Sequence, residues 1–147
     1  DLANFVEPNL TAGGYTPLGE ALHMLSRHMA IEVRKSTPTQ KGDYKPLVFL
    51  MTDGQPTDSW EKAADAVKKE KPANIIACAA GPGADTDVLK RITECVVELK
   101  TLEPDQLKAF FKWVSRSIKV ASVAIANGPP ANGLTLPPPP SGINLVI

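Results

Sequence analysis

The chain has 147 residues, of which 43% are hydrophobic, so it is large enough for one domain with its own core. Its 16 basic and 16 acidic residues give a formal net charge of zero, and only 5% of the residues are aromatic. This balance argues against nucleic acid or an anionic membrane as a partner. No apolar stretch reaches transmembrane length and the first residues lack a signal-peptide pattern, so we expect a cytoplasmic protein.

The first predicted helix follows a loop that contains two adjacent glycines. Thr16 is the predicted N-cap and Pro17 the predicted first helical residue. Leu22 and Leu25 then recur at helical spacing, which predicts one buried face. Residues 35–45 are polar and contain a proline and a glycine, so they are predicted to form a loop.

Three short apolar segments are predicted to be strands, at residues 47–51, 74–80 and 96–99. The first of them lacks polar alternation, which is typical of a strand buried on both faces of a parallel sheet. Helical patterns follow each of them. This alternation of helices and strands indicates an α/β fold, mainly a parallel sheet with helices on both faces.

The later helices have predicted start signals. Asp58 and Glu61 have the spacing of a capping box for a helix over 60–69, and Asp85 or Thr86 is predicted to cap the next helix. The last helix begins at residue 104, and its buried stripe is predicted to contain the apolar residues Leu107, Phe110, Phe111, Val114 and Ile118.

The end of the chain is rich in proline. We therefore divide the chain into a domain over 1–122 and a tail over 123–147. Prolines carry no backbone donor, so residues 128–140 are expected to lie on the surface or to be mobile. Residues 143–147 are apolar and β-prone, and two interpretations stay open for them: a disordered end, or a segment that docks as an extra strand.

Cys78 and Cys95 lie in apolar surroundings and are interpreted as small buried hydrophobic residues. They have no C-x-x-C spacing, which makes a redox pair the weaker alternative. The glycines at 81 and 83 lack the pattern of a phosphate-binding loop and indicate a turn between a strand and a helix.

Two loops carry the residues with functional potential. Asp53 directly follows the first predicted strand, at the end where open parallel sheets bind ligands. A carboxylate there can bind a hard cation, although the simpler interpretation is a residue that stabilises a turn. Thr16 would present a hydroxyl oxygen near the start of the first helix, and for this residue capping is the simpler interpretation.

Taken together, the two loops indicate a protein family more specifically than either loop does alone. Two segments resemble the von Willebrand factor A family. They are Gly-Gly-Tyr-Thr-Pro-Leu-Gly-Glu-Ala-Leu at 13–22 and Val-Phe-Leu-Met-Thr-Asp-Gly-Gln-Pro-Thr-Asp at 48–58. Residues 41–54, 76–82 and 108–115 look most like the TerY-like proteins of bacterial tellurium-resistance operons. The resemblance extends to about residue 122 and implies a three-layer, Rossmann-like domain.

In that family a metal-ion-dependent adhesion site is assembled from three loops. By resemblance, Thr16 and Asp53 match the threonine and the aspartate of that site and would lie next to a magnesium ion. A carboxylate of a protein partner would complete the coordination. The resemblance further implies a partner-binding rim made of Gly14, Tyr15, Gln55 and Pro56.

The third loop of that site carries Asp-x-Ser-x-Ser, which does not occur in this sequence. The family's first strand, its helix and the next two strands are therefore expected to be absent here. Magnesium binding by this chain alone is expected to be weak or absent, because magnesium prefers six oxygen ligands. The strand at 47–51 would form an open edge, which implies a homo-oligomer, association with the missing N-terminal half on a second chain, or a chain that is a piece of a longer protein.

The predicted function is protein binding without catalysis, in a cytoplasmic complex linked to tellurite or other stress resistance. The alternative is a metal-dependent, phosphatase-like hydrolase with Asp53 and Asp58 as acidic ligands. No nucleophile with a neighbouring base is evident in the sequence, which favours the binding function.

Overall fold

The computed structural model describes residues 13–126 and 136–146, together with Val6, Pro8, Asn9 and Thr11. Its elements follow one another in the order α1 (Leu18–Glu32), β1 (Leu47–Thr52), α2 (Glu61–Glu70), β2 (Asn74–Ala80), α3 (Thr86–Ile92), β3 (Cys95–Leu99), α4 (Pro104–Ala126) and β4 (Ile143–Val146). The predicted alternation of helices and strands is confirmed.

The four strands form one sheet in the order β1-β2-β3-β4. Strands β1, β2 and β3 are parallel, with Leu50 opposite Ala77 in the first pair, whereas β4 runs antiparallel to β3. The sheet is therefore mixed but mostly parallel, as predicted. Strand β2 is one of two interior strands and is the most buried, because strands pair with both of its edges and helices cover both of its faces.

Side chains of β2 alternate between two hydrophobic cores. Ile75, Ala77 and Ala79 pack with α1, α2 and α3 on one face of the sheet. Ile76 and Cys78 pack with α4 on the other face. Helices thus cover both faces, as predicted. Burial raises the pKa of Cys78 to about 11, so its thiol stays protonated and behaves as a hydrophobic group.

The buried face of helix α4 differs from the predicted one. Its most buried residues are Phe110, Trp113, Ser117 and Ala121, whereas Phe111 and Ile118, both predicted to be buried, are exposed. The buried row includes a serine whose hydroxyl donates to a carbonyl one turn earlier, at Trp113. A pattern that counts only apolar side chains misses this serine and selects the wrong face.

No helix in the described ranges is long and apolar enough to span a bilayer.

The end of the tail is docked on the domain. The Trp113 indole Nε1–H donates to the Pro137 carbonyl at 3.0 Å, Leu136 and Ile143 pack in the α4 core, and β4 extends the sheet. Docking as an extra strand, one of the two open interpretations, is therefore what the structure shows. The predicted domain boundary at residue 122 falls inside α4. Residues 128–140 were predicted to lie on the surface or to be mobile: of these, 136–140 lie against α4 with Pro137 buried and Pro138 exposed, and 128–135 lie outside the described residues.

Strand β1 lies at the edge of the sheet. Among the described residues it pairs only with β2, and most of its side chains are half-buried, with Met51 38% exposed. Leu25 and Met29 of α1 are also only partly buried. This edge has the exposure that pairing with another chain requires, while the association itself stays a prediction.

We expect the Trp113–Pro137 hydrogen bond to be one way in which the tail stabilises the domain. Replacing Trp113 by Phe removes the indole donor but keeps an aromatic ring, so we expect a loss of about 1 kcal/mol in the free energy of unfolding. Trp113→Ala also removes the ring and should cost about 3–5 kcal/mol. Urea unfolding followed by circular dichroism measures both. Equal losses would mean that the hydrogen bond, and not the ring, provides the whole effect.

Candidate functional site

Two loops meet beyond the carboxyl end of β1. The Thr16 backbone N–H donates to the Thr57 hydroxyl at 3.0 Å, and the Thr57 backbone N–H donates to the Thr16 carbonyl at 3.0 Å. This reciprocal pair joins the loop before α1 to the loop after β1. The structure therefore brings the loops of Thr16 and Asp53 together, as the sequence resemblance predicted.

A third loop joins them at the carboxyl end of β2. The Asp85 backbone N–H donates to the Asp53 carbonyl at 2.8 Å. Gly54 is buried against the Asp85 carbonyl at a φ of +71°, and a Cβ atom at Gly54 would overlap that oxygen. Any other residue there would push the two loops apart. The Asp85 side chain caps α3, as predicted, but its backbone contact with Asp53 had no signal in the sequence.

Asp58 holds the start of α1. The Gly19 N–H donates to its Oδ1 and the Glu20 N–H to its Oδ2, each at 3.0 Å. Helix α1 begins at Leu18 with Pro17 in the capping position and no side-chain cap from its own chain segment. The predicted cap at Thr16 is therefore wrong, because the capping group comes from a different loop.

The predicted capping box of Asp58 and Glu61 is also wrong. Helix α2 begins without a side-chain cap, since the Asp58 carboxylate points to α1 instead. Gly19 permits this contact: a Cβ there would lie 2.9 Å from Asp58 Oδ2. The hydrogen bond from Gly19 is the largest influence on the Asp58 carboxyl and lowers its pKa.

Asp53 stabilises a turn and also faces solvent. Its Oδ1 accepts a hydrogen bond from the Gln55 N–H at 3.0 Å, and the Gly54 N–H donates to the Thr52 hydroxyl at 3.2 Å. One carboxylate oxygen of Asp53 therefore stabilises the turn, as the simpler interpretation predicted. Within residues 13–126 and 136–146, Oδ2 of Asp53 and the hydroxyl of Thr16 make no hydrogen bond, so both oxygens are available to a ligand.

The residues predicted to form the rim are accessible. Gly14, Tyr15 and Gln55 are exposed and Pro56 is half-buried. Tyr15 has 87% of its surface exposed, although it is a large aromatic residue. Its loop is tied to the scaffold through the neighbouring Thr16. The rim therefore presents an aromatic side chain from an anchored loop.

A magnesium ion would find only part of its ligand set here. Thr16 and Asp53 offer two oxygen donors on adjoining loops, whereas magnesium prefers six oxygens in octahedral geometry. In the described part of the chain, no three His, Cys, Asp or Glu residues cluster as a metal site would require. Thr16 and Asp53 would therefore supply at most two of the six oxygens, and water or a partner would have to supply the rest.

The capping contact of Asp58 predicts a pH-dependent stability. Because the pKa of folded Asp58 is lowered, its contribution is full above the unfolded-state pKa of about 3.9 and disappears as the pH falls through the lower folded value. Asp58→Asn should therefore lower the melting temperature by a few degrees near neutral pH, and the difference should vanish in strong acid. Thermal melts across this pH range measure it.

Asp87→Asn is the matched control, because Asp87 is an exposed acidic residue in the first turn of α3. It should change the melting temperature much less than Asp58→Asn. A loss at Asp58 that does not depend on pH would contradict a role for its negative charge.

Comparison with known proteins agrees with this architecture. A family model, described as the von Willebrand factor type A domain, matches residues 1–113, which is more than half of the chain. No curated protein and no solved structure matches this chain. The mostly parallel sheet, with helices on both faces and loops meeting at its carboxyl end, is consistent with that family, whose domains are typically protein-interaction and metal-binding modules. The chain belongs to the von Willebrand factor type A domain family.

Proposed function

We propose that this domain is a protein-binding module whose partner docks on the rim around Thr16 and Asp53. The observation that carries the proposal is the 87% exposure of Tyr15 on a loop that Thr16 and Thr57 anchor. Exposed aromatic residues on loops held by a rigid scaffold are typical of interface residues that dominate binding energy. A partner covering Tyr15 would also reach the free oxygen of Asp53.

A magnesium ion fits this proposal as a bridge. Thr16 and Asp53 would hold it, and a carboxylate of the partner would supply a further oxygen. The bound ion would provide the positive charge that attracts this carboxylate to the rim. Because the described residues offer only two ligands, we propose that the domain alone binds magnesium weakly and that a partner strengthens the binding.

Calorimetric titration of the domain with magnesium tests the ligand assignment. We expect weak or undetectable heat, and Asp53→Asn should abolish any heat that remains. Thr16→Val should have the same effect, because valine has a similar shape but lacks the hydroxyl. The Asp87→Asn control should bind like the original domain. Tight one-to-one binding, or binding that survives Asp53→Asn, would show that other residues ligate the metal.

Site-specific photo-crosslinking in the native cells tests the protein-binding function. A crosslinking amino acid at Tyr15 should capture a defined partner, and Asp53→Ala should abolish this product. The same amino acid at Lys62, an exposed position on α2, is the control and should not give the product. The same products from both positions, or no product from Tyr15, would contradict docking at the rim.

We further propose that the partner belongs to a bacterial cytoplasmic complex linked to tellurite or other stress resistance. This proposal is supported by the similarity of residues 41–54 and 108–115 to TerY-like proteins. Growth on tellurite should depend on the domain and should fall with Asp53→Ala. Unchanged growth of the deletion strain would remove this assignment without affecting the binding function.

The hydrolase alternative needs Asp58 as a second acidic ligand. Both Asp58 oxygens instead accept hydrogen bonds from the start of α1, so the carboxylate already has a capping role and would have to share its oxygens with a metal. The binding function is therefore preferred. Phosphatase turnover with magnesium or manganese that Asp53→Ala abolishes would reverse this preference.

A further inference from the structure

Four basic side chains lie in a row on the outer face of α4, and we refer to them as the basic stripe: Lys108, Lys112, Arg116 and Lys119. Their spacing of four, four and three residues places them on one side of a helix. All four are exposed, and none of them takes part in an ion pair with the described residues.

This concentration of charge stands out because the whole chain is neutral, with 16 basic and 16 acidic residues. The nearest acidic residue within α4 is Asp105, which lies in its first turn, before the stripe begins. The stripe therefore creates a local positive potential that the rest of its helix does not cancel. Such a surface favours anionic partners.

A groove of about 280 Å³ runs beside the stripe, lined by Ala109, Lys112, Trp113, Arg116, Pro138 and Pro140. Trp113 is only 4% exposed, and its indole is held by the Pro137 carbonyl. The docked tail thus forms one wall of the groove and α4 the other. The walls are largely apolar, and two members of the stripe stand at the edge.

We propose that α4 and the docked tail form a second protein-binding surface, whose partner is an acidic peptide segment. Asp or Glu side chains of the peptide lie along the basic stripe, and an apolar side chain occupies the groove. The stripe is about 16 Å long, which about five extended residues can cover. This surface lies on the opposite face of the sheet from α1, α2 and α3, so it does not depend on the rim.

The described surface suits a peptide better than other anions. Of the aromatic side chains on α4, Phe110 and Trp113 are buried and only Phe111 is exposed, and a single ring is a poor platform for stacking successive bases. Phe111 and Ile118 are exposed beside the stripe, so a membrane would meet two apolar side chains as well as the charges, but a flat layer of headgroups would leave the groove empty. Residues 127–135 of this chain contain no Asp or Glu, so they lack the acidic groups to occupy the stripe themselves.

Fluorescence anisotropy with a labelled synthetic peptide tests the proposal. The peptide alternates Glu with Leu over about eight residues, and a matched peptide carries Gln in place of Glu. The acidic peptide should bind, and added salt should weaken the binding. Lys112→Glu combined with Arg116→Glu should raise its dissociation constant roughly ten-fold. Ala109→Leu partly fills the groove and should weaken this peptide but not one with Ser in place of Leu.

Lys62→Glu combined with Lys69→Glu is the matched control, because it makes the same charge change on exposed residues of α2. It should leave the affinity unchanged. Circular dichroism should show that both double variants are folded. Asp53→Ala should also leave peptide binding unchanged, so failure of the rim proposal would be distinguishable from failure of this one.

Four outcomes would overturn the proposal. The Gln peptide binds as tightly as the Glu peptide, or the α2 control loses as much affinity as the α4 variant. Alternatively, vesicles containing phosphatidylserine or a single-stranded RNA bind through the stripe more tightly than the peptide. Finally, the domain dimerises and the α4 variant alone prevents it, which would make a second copy of this chain the occupant.

Discussion

The contact between the Asp58 carboxylate and the start of α1 is the constraint on which the candidate site depends. Backbone N–H groups at a helix start have no partner within the helix, and here Gly19 and Glu20 find theirs on a loop that follows β1. The same loop exchanges two hydrogen bonds with Thr16 through Thr57. Helix α1 and the edge strand are thereby joined at the place where the rim lies.

Close approaches between backbones explain why glycine stands at two positions of the site. Gly19 lets the Asp58 carboxylate reach the helix, and Gly54 lets the turn after Asp53 lie against the Asp85 carbonyl. In both cases a Cβ atom would meet an oxygen atom, so the loops would have to separate. The positions of the Thr16 and Asp53 loops therefore depend on glycine at 19 and 54.

The sheet separates the helices into two groups, and side chains of β2 contribute to the hydrophobic core on each face. These alternating side chains support α1, α2 and α3 on one face and α4 with the docked tail on the other. The first face supports a rim with free oxygen donors and an exposed aromatic residue. The second supports a basic stripe beside a groove. The two proposed binding surfaces therefore lie on separate parts of one sheet and differ in their chemistry.

The sequence by itself determined the order of helices and strands, the parallel sheet and the two loops that carry Thr16 and Asp53, because apolar runs and local spacing encode these features. Only the tertiary structure decided which helix Asp58 caps, which face of α4 is buried and that β4 pairs with β3. Each of these depends on partners far away in the chain. A carboxylate next to a helical pattern predicts a cap for that helix, but an unpaired N–H group donates to whichever oxygen the fold brings close, here the Asp58 carboxylate at 3.0 Å.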